Sequence, residues 1–301
     1  MIDVVNLTKR YRGDAVVEAL TFSVKPGTVT GFLGPNGSGK TTTARMILGL
    51  TSPDAGRATV GGRRYRDLDF PLREIGALLN PGAVNPARTA IEHLRWLAAA
   101  NRLPAARAEL VIGMVGLDAA AGRKVAGFSL GMRQRLGIAA ALIGDPATLL
   151  LDEPINGLDP EGIRWIRTFM QGLADEGRTV FVSSHLMSEM ALTAGELVVI
   201  GRGRLIAAES VKSFVARVDS TVRVRSPQLD DLEVALAETG ATVWRSGEAL
   251  EVVGMPIEHV GSVAGRIGAV LYELSSQHAS LEDAFMRLTG ELCEYTAEAV
   301  A

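Results

Sequence analysis

The sequence is poor in the features that mark several large classes of protein. Only one of its 301 residues is a cysteine, Cys293, so no internal disulfide framework is possible and a reducing compartment fits. Lysine and arginine number 31 against 34 acids, which leaves a net charge of −3. A nucleic-acid-binding domain usually carries a basic excess or stripe. Nucleic acid is therefore not an expected partner.

Long hydrophobic runs are also missing. A membrane-spanning helix needs ~18 or more consecutive apolar residues, whereas the closest stretches, at 136–143 and 197–200, are short. The N-terminal segment carries Asp3 and no basic region, so it does not predict a signal peptide. With 47% hydrophobic and 22% charged residues, the sequence predicts a soluble globular protein with room for more than one domain.

Along the chain, short apolar segments alternate with segments that have a helical pattern. Strands are predicted at 3–6, 19–24, 28–33, 148–151 and 179–183, and helices at 40–48, 92–100, 109–115 and 129–143. Apolar strands that alternate with helices indicate a parallel sheet covered on both faces. An α/β domain is therefore predicted over residues 1–210, with a helical insert at about 81–145.

The character of the sequence changes near Glu209. Strands are predicted at 221–225, 241–244, 250–253 and 270–274, and helices at 229–238, 257–267 and 281–288. The resulting order, β-α-β-β-α-β-α, is typical of a small, separate α+β domain with a ferredoxin-like topology. This accessory domain is predicted over residues 215–301.

A glycine-rich loop joins the predicted strand at 28–33 to the next helix. Residues 34–41 follow the pattern G-x-x-x-x-G-K-[ST]. Glycines let backbone N–H groups surround phosphate oxygens, and the helix N-terminus adds a favourable dipole. Lys40 is expected to reach the terminal phosphates of a nucleotide, and Thr41 to bind Mg²⁺. The nucleotide-binding residues predicted in this segment are Gly34, Asn36, Gly37, Ser38, Gly39, Lys40, Thr41 and Thr42.

Two adjacent acids follow another predicted strand. Asp152 and Glu153 come directly after the apolar residues 148–151. Ligands of open α/β sheets bind at the carboxyl ends of the strands. Asp152 is placed to hold Mg²⁺, directly or through water, and Glu153 to polarise the water that attacks a γ-phosphate. Taken alone the pair is compatible with a solvated turn, and the phosphate loop favours the catalytic interpretation.

Together these motifs resemble those of the ATP-binding-cassette (ABC) ATPases, which have a P-loop NTPase fold, and the resemblance covers nearly all of the chain. Residues 128–135, FSLGMRQR, are similar to the family's signature motif, usually LSGGQ. Ser129 and Gly131 keep its serine and second glycine, whereas Leu130 and Met132 depart from it. The resemblance implies that two such domains meet head to tail as a homodimer, with each Ser129 helix facing the ATP of its partner.

The resemblance assigns four further residues. Asp159 resembles the acid of the family's D-loop. His185 resembles the switch histidine that contacts the γ-phosphate. Tyr11 stands for the aromatic residue that stacks on adenine, and it is equally compatible with a surface ring. Asn80 occupies the place of a glutamine that senses Mg²⁺ and the membrane partner. Its side chain is one methylene shorter, which puts direct metal contact in question.

The C-terminal segment narrows the subfamily. Residues 280–290 are similar to the tail of the daunorubicin- and bacitracin-resistance ABC ATPases, which pair with separately encoded integral membrane permeases. The resemblance implies a cytoplasmic ATPase that uses ATP and Mg²⁺, lies at the inner face of the cell membrane, and powers export of a drug, antibiotic or other hydrophobic compound. The permease is expected to dock on the insert that starts at Asn80. The apolar residues of the helix that follows are Ile91, Leu94, Trp96 and Leu97.

Two other functions remain open from the sequence. The first is a soluble ABC ATPase that acts on ribosomes or DNA, although such proteins usually carry tandem cassettes, coiled coils or zinc inserts. The second is a binding module that keeps ATP as structural glue. The presence of Lys40, Asp152 and Glu153 together argues against this second alternative.

Overall fold

The structure, a computed structural model, describes residues 1–218, 221–277 and 280–289. It divides into two compact units, one from Met1 to Val211 and one that begins at Lys212. Gly290, which ends the resistance-type tail, and Cys293 lie outside the described residues. No helix in the described ranges is long and apolar enough to cross a bilayer.

The first unit contains nine strands in two sheets. The strands are β1 (Ile2–Tyr11), β2 (Asp14–Val24), β3 (Val29–Leu33), β4 (Ala55–Val60), β5 (Ile75–Leu78), β6 (Thr148–Asp152), β7 (Thr179–Ser184), β8 (Glu196–Gly201) and β9 (Arg204–Ser210). Six of them form a sheet in the order β5-β6-β7-β3-β8-β9, in which every pair except β8–β9 is parallel. Strands β2, β1 and β4 form a separate antiparallel sheet. The predicted parallel α/β sheet is confirmed.

Seven helices belong to the first unit. They are α1 (Lys40–Ile47), α2 (Pro71–Glu74), α3 (Ala90–Ala100), α4 (Ala106–Met114), α5 (Leu130–Leu142), α6 (Pro160–Asp175) and α7 (Met187–Thr193). Helices α3, α4 and α5 lie in the segment predicted as a helical insert, and they pack on one another. Thr89 starts α3 with a capping box: its side chain accepts from the Glu92 N–H, and Glu92 reaches back to the Thr89 N–H.

The first two strands are longer than predicted because each contains a β-bulge. The β1–β2 register shifts between Val4 and Leu7, and the backbone at Asn6 and Ala19 has positive φ, 48° and 49°. A bulge interrupts the alternation of inward and outward side chains. The apolar pattern therefore breaks at Asn6 and resumes at Ala19, the two residues where the predicted strands stop and start.

The sheet core holds the site-bearing strand ends in place. Strands β3, β6 and β7 are buried along their whole length. Phe32 and Phe181 stack with their ring centroids 5.0 Å apart, and Phe22 from β2 lies 5.8 Å from each of them. Stacked aromatic pairs contribute about 0.5–1.5 kcal/mol beyond the area they bury. The three rings pack the parallel sheet against the antiparallel one.

The second unit has a ferredoxin-like sheet. Its elements are α8 (Val211–Val215), β10 (Thr221–Arg225), α9 (Leu229–Ala237), β11 (Thr242–Ser246), β12 (Ala249–Val253), α10 (Ile257–Arg266), β13 (Glu273–Gln277) and α11 (Leu281–Thr289). The strand order β11-β12-β10-β13 is antiparallel throughout, which confirms the expected topology. The prediction of a strand at 270–274 is wrong by three residues, because β13 starts at Glu273 and ends at Gln277. The apolar Val270 and Tyr272 are exposed, and the polar segment from Glu273 forms the edge strand.

Candidate functional site

The phosphate-binding loop joins the end of β3 to the first residue of α1, Lys40. Gly39 precedes the helix with φ at 99°, a conformation that costs a residue with a side chain about 1–2 kcal/mol. A Cβ at Gly39 would also lie 2.7 Å from the Val16 carbonyl oxygen. Glycine is therefore required at this position for the loop to close against β2.

Two polar groups in the loop are arranged for an anion. The Ser38 hydroxyl is buried and has no hydrogen-bond partner in the described part of the chain. Lys40 Nζ donates to the carbonyl oxygens of Gly34, at 2.6 Å, and Pro35, at 3.1 Å. Burial lowers the pKa of the Lys40 amine, and the carboxylates of Glu153 and Asp152 act in the opposite direction. An orphaned hydroxyl beside a flexible cation fits a loop that receives phosphate oxygens.

The candidate magnesium site lies where β6 ends beside α1. Thr41 Oγ1 donates to Asp152 Oδ2 at 3.0 Å, and the Ser183 hydroxyl donates to Asp152 Oδ1. The Asp152 carboxylate is thus buried and oriented from both sides. A hydroxyl and a carboxylate oxygen are ligands that Mg²⁺ prefers, and Mg²⁺ usually keeps several waters besides. Thr41 and Asp152 therefore fit the metal role predicted for them.

Glu153 is held in a strained conformation directly beside the pocket. Its φ is 51°, a left-handed value that costs a non-glycine residue about 1–3 kcal/mol. The Glu153 N–H donates to the Ser183 carbonyl at 3.2 Å and to the Ser183 hydroxyl at 3.0 Å. The carboxylate Oε2 lies 2.9 Å from His185 Nδ1, on the loop after β7. Strands β6 and β7 thus bring the predicted general base and switch histidine into direct contact.

A buried glutamine that the sequence did not single out supports this turn from behind. Gln134 of α5 is 3% exposed, and its Nε2 lies 3.3 Å from the Glu153 carbonyl oxygen and 3.4 Å from that of Asn156. The Gln134 Oε1 has no partner among the described residues. Helix α5 therefore holds the backbone that carries Glu153. The sequence offers one clue, a neutral polar residue on a helix face that is otherwise apolar.

The signature and D-loop segments pack against each other within the chain. Ser129 caps α5, as predicted, by accepting from the Met132 N–H at 3.2 Å. Leu130 lies over Gly157 so closely that a Cβ on the glycine would overlap its Cδ2. Asp159 caps α6 through the Gly162 N–H at 2.7 Å. This geometry accounts for the local roles of Ser129 and Asp159, and their contact with a partner's nucleotide stays a prediction.

Residues of the phosphate loop and the two strand ends line one open pocket of about 430 Å³. Its lining residues are Val16, Pro35, Asn36, Gly37, Ser38, Gly39, Lys40, Thr41, Thr42, Asp152, Glu153, Asn156 and His185. The structure brings together most of the predicted site residues here. Three lining residues were not among those predicted: Val16, Pro35 and Asn156. The place of Val16 and Asn156 in the pocket depends on contacts across the fold.

Six predicted site residues lie outside that lining: Tyr11, Gly34, Asn80, Ser129, Gly131 and Asp159. Ser129 and Gly131 stand at the start of α5, and Tyr11 ends β1 with its ring 47% exposed and Lys9 Nζ 5.4 Å from the ring centroid. Asn80 Oδ1 accepts from the Gly82 N–H at 2.8 Å. Asn80 lines a separate groove of about 420 Å³, and the described lining of this groove includes His93 but no aspartate, glutamate, lysine or arginine. Adenine stacking by Tyr11 and metal binding by Asn80 stay predictions.

Comparison with known proteins places this geometry in a family. Residues 17–156 match the ABC transporter family, and residues 220–282 match DUF8746, a domain of unknown function. The chain is 34% identical to YhcH, an uncharacterized ABC transporter ATP-binding protein of Bacillus subtilis (strain 168), across 98% of this chain and 97% of that protein. The chain belongs to the ATP-binding proteins of ABC transporters.

Relatives that are named for a role in transport align over similar lengths. The bacitracin transport ATP-binding protein BcrA of Enterococcus faecalis is 32% identical and covers 96% of both chains. The Nod factor export ATP-binding protein I of Ralstonia nicotianae (strain ATCC BAA-1114 / GMI1000) is 35% identical, over 96% of this chain and 94% of that one. The resemblance to the antibiotic-resistance type is thereby confirmed.

Solved structures agree with the fold. The structure of an ATP-binding subunit of an ABC transporter superposes with a TM-score of 0.66 at 27% identity, over 72% of this chain and 92% of that one. The dimeric structure of MJ0796, a bacterial ABC transporter cassette, gives a TM-score of 0.64 at 25% identity, over 70% of this chain and 98% of that one. The predicted P-loop cassette fold is confirmed.

Proposed function

We propose that this chain hydrolyses ATP to power a separately encoded membrane permease that exports a drug, antibiotic or other hydrophobic compound. The observation that carries the proposal is the contact between Glu153 and His185, 2.9 Å apart at the rim of the phosphate-loop pocket. A site where bound ATP only stabilises the structure does not require a strained carboxylate paired with a histidine.

The chemistry follows from the side chains in place. Glu153 accepts the proton of a water molecule and directs the water oxygen at the γ-phosphorus; a P–O bond to water forms, and the bond to the bridging oxygen breaks to release ADP. Lys40 moves from the Gly34 and Pro35 carbonyls to the transferring phosphoryl group. His185 orients the Glu153 carboxylate and donates to a γ-oxygen. Thr41 and Asp152 would hold Mg²⁺, which would supply positive charge to offset the charge of the phosphates.

Two copies of the chain complete each ATP site in this proposal. Ser129 and Gly131 lie outside the pocket of their own chain, and the free N–H groups at the start of α5 can bind a γ-phosphate across a homodimer interface.

The variant Gly131→Asp tests this action in trans. Its carboxylate would repel the γ-phosphate of the partner's ATP, because like charges repel. The variant should therefore lose ATP-dependent dimerisation and turnover, while its monomer still binds ATP. Gly131→Asn is the matched neutral control, since a Cβ at either variant meets Leu158 at 3.3 Å. Loss of nucleotide binding by the Gly131→Asp monomer would contradict action in trans.

The permease docks, in this proposal, in the uncharged groove that Asn80 lines. Leu50, Trp96 and Leu97 contribute apolar surface, and Leu94 is instead fully buried in the insert core. Such a groove suits the apolar face of a short helix. It also supports a cytoplasmic location at the inner face of the membrane.

Site-directed crosslinking tests this docking. Crosslinkers at Ala83, Asn85 or Arg88 should capture a membrane protein in native membranes, with a yield that changes on addition of ATP. Absence of any membrane crosslink from all three positions, with control positions reactive, would favour the alternative of an ABC ATPase that is not coupled to transport.

A further inference from the structure

A cluster of arginines lines a pocket beside the proposed docking groove. The pocket, of about 220 Å³, lies between the end of α1 and strand β4, and the charged residues among its lining are Arg57, Arg64 and Arg66. No acid lines it among the residues that the structure describes, although the chain as a whole has a net charge of −3. The positive charge is therefore local to this face of the first unit.

These arginines are not neutralised by neighbouring carboxylates. Over the ranges that the structure describes, neither Arg57 nor Arg64 makes an ion pair. Arg66 meets only its neighbour Asp67, at 3.7 Å, and both side chains are more than half exposed. Exposed pairs of this kind contribute little. Three guanidinium groups therefore remain available to an external anion.

The arginine pocket borders the groove. Tyr65 lines both the pocket and the groove. At another border Leu72 is shared between the groove and a third cavity, which carries Arg73 and Arg102. Asp69, the one acid among the described lining residues of that cavity, lies 3.5 Å from Arg63, which is outside the cavity. An uncharged groove is thus bordered at two places by basic groups.

We propose that this arginine-bearing border binds the anionic phospholipid headgroups of the membrane in which the permease is embedded. The inference rests on the proposed docking of a membrane partner in the groove. A permease held there brings the lipid surface to the groove's surroundings, and an anionic surface attracts nearby arginines. A guanidinium group donates two parallel hydrogen bonds to a phosphate, and the pocket has room for one such group.

The distribution of charge favours lipid over an acidic segment of the permease. The groove that would hold a protein segment has no acid, lysine or arginine among its described lining residues, while the arginines occupy two separate cavities at its borders. One acidic peptide would meet one of these cavities, whereas a lipid surface is charged over its whole extent and meets both.

Vesicle sedimentation with the full chain tests the proposal. The chain should bind vesicles of equal parts phosphatidylglycerol and phosphatidylcholine far better than vesicles of phosphatidylcholine alone, and lose that binding at about 1 M salt, where the Debye length is ~3 Å. Each basic side chain near an anionic surface strengthens binding about fivefold, so Arg57→Ser/Arg64→Ser/Arg66→Ser should weaken it roughly a hundredfold. Inorganic phosphate at millimolar concentration should not compete, because it lacks the extended surface.

The matched control replaces the same number of cations elsewhere. Lys25, Arg123 and Arg204 are exposed and line none of the three cavities, so their triple serine variant should bind vesicles as the wild type does. The variant Arg57→Lys/Arg64→Lys/Arg66→Lys keeps the positive charges of the pocket and should retain most of the binding to anionic vesicles. Solution ATP hydrolysis should be unchanged in all variants, which separates this inference from the proposed catalytic function.

Four results would overturn the inference. Three of them are equal binding to neutral and anionic vesicles, equal loss in both triple variants, and competition by inorganic phosphate. A fourth is loss of permease binding by the pocket variant in proteoliposomes of neutral lipid, which would assign the arginines to the permease itself.

Discussion

Gly157 lies under Leu130, the residue that replaces a glycine of the usual signature motif. Its φ is 73°, and a Cβ would overlap Leu130 Cδ2. In Gly157→Ala the left-handed backbone lowers the free energy of unfolding by about 1–2 kcal/mol. Alanine also reduces the conformational entropy of the unfolded chain, which offsets part of that loss. Overpacking adds about 1–3 kcal/mol, and the low end applies because Leu130 is 51% exposed and can move.

A double-mutant cycle separates the two contributions. Gly157→Ala should lower the free energy of unfolding by about 2 kcal/mol in the wild-type background and by about 1 kcal/mol beside Leu130→Ala, where the overlap is gone. For a unit of this size the losses correspond to falls in Tm of about 6 °C and 3 °C in thermal unfolding. Equal losses in the two backgrounds would refute the contact between the signature helix and the D-loop.

Three further predictions follow from the structure. Gln134→Leu should lower kcat for ATP with little change in KM, because the Glu153 and Asn156 carbonyls lose their donor; a proportional rise in KM would contradict a positioning role. Burial lowers the pKa of His93, and the nearby positive charge of Arg88 lowers it further. At a pH below about 6.5 the unfolded chain therefore binds more protons than the folded chain, and the free energy of unfolding should fall as the pH drops. His93→Gln should flatten that fall in a pH series of thermal unfolding curves, and an unchanged slope would contradict it. A chain ending at Val211, the end of the first unit, should still fold and bind ATP, and a folded truncation without nucleotide affinity would show the boundary to be misplaced.

Local patterns predicted most of the residues that line the pocket. The spacing from Gly34 to Thr41 is set by one loop and one helix start, and Asp152 and Glu153 follow one buried strand. Such short-range signals depend on the backbone of a few residues, so the sequence carries them directly. The order of elements in the C-terminal unit was predicted for the same reason.

Contacts between distant segments could not be predicted. The Gln134 bond to the Glu153 backbone joins residues 19 positions apart, and the Ser183 bond to Asp152 joins residues 31 apart. Their partners follow from sheet order and helix packing, which no local pattern encodes. Edge strand β13 was misplaced because a polar edge has no apolar alternation to mark it.

Steady-state ATP hydrolysis by Glu153→Gln tests the central claim most directly. The substitution keeps the size of the side chain and removes the base beside His185, so ATP binding should persist and an ATP-bound dimer should accumulate. Turnover should fall by about 10²–10⁴-fold, the usual contribution of a general base. Turnover close to that of the wild type in a folded, ATP-binding Glu153→Gln protein would contradict the assignment of Glu153 as the residue that activates water.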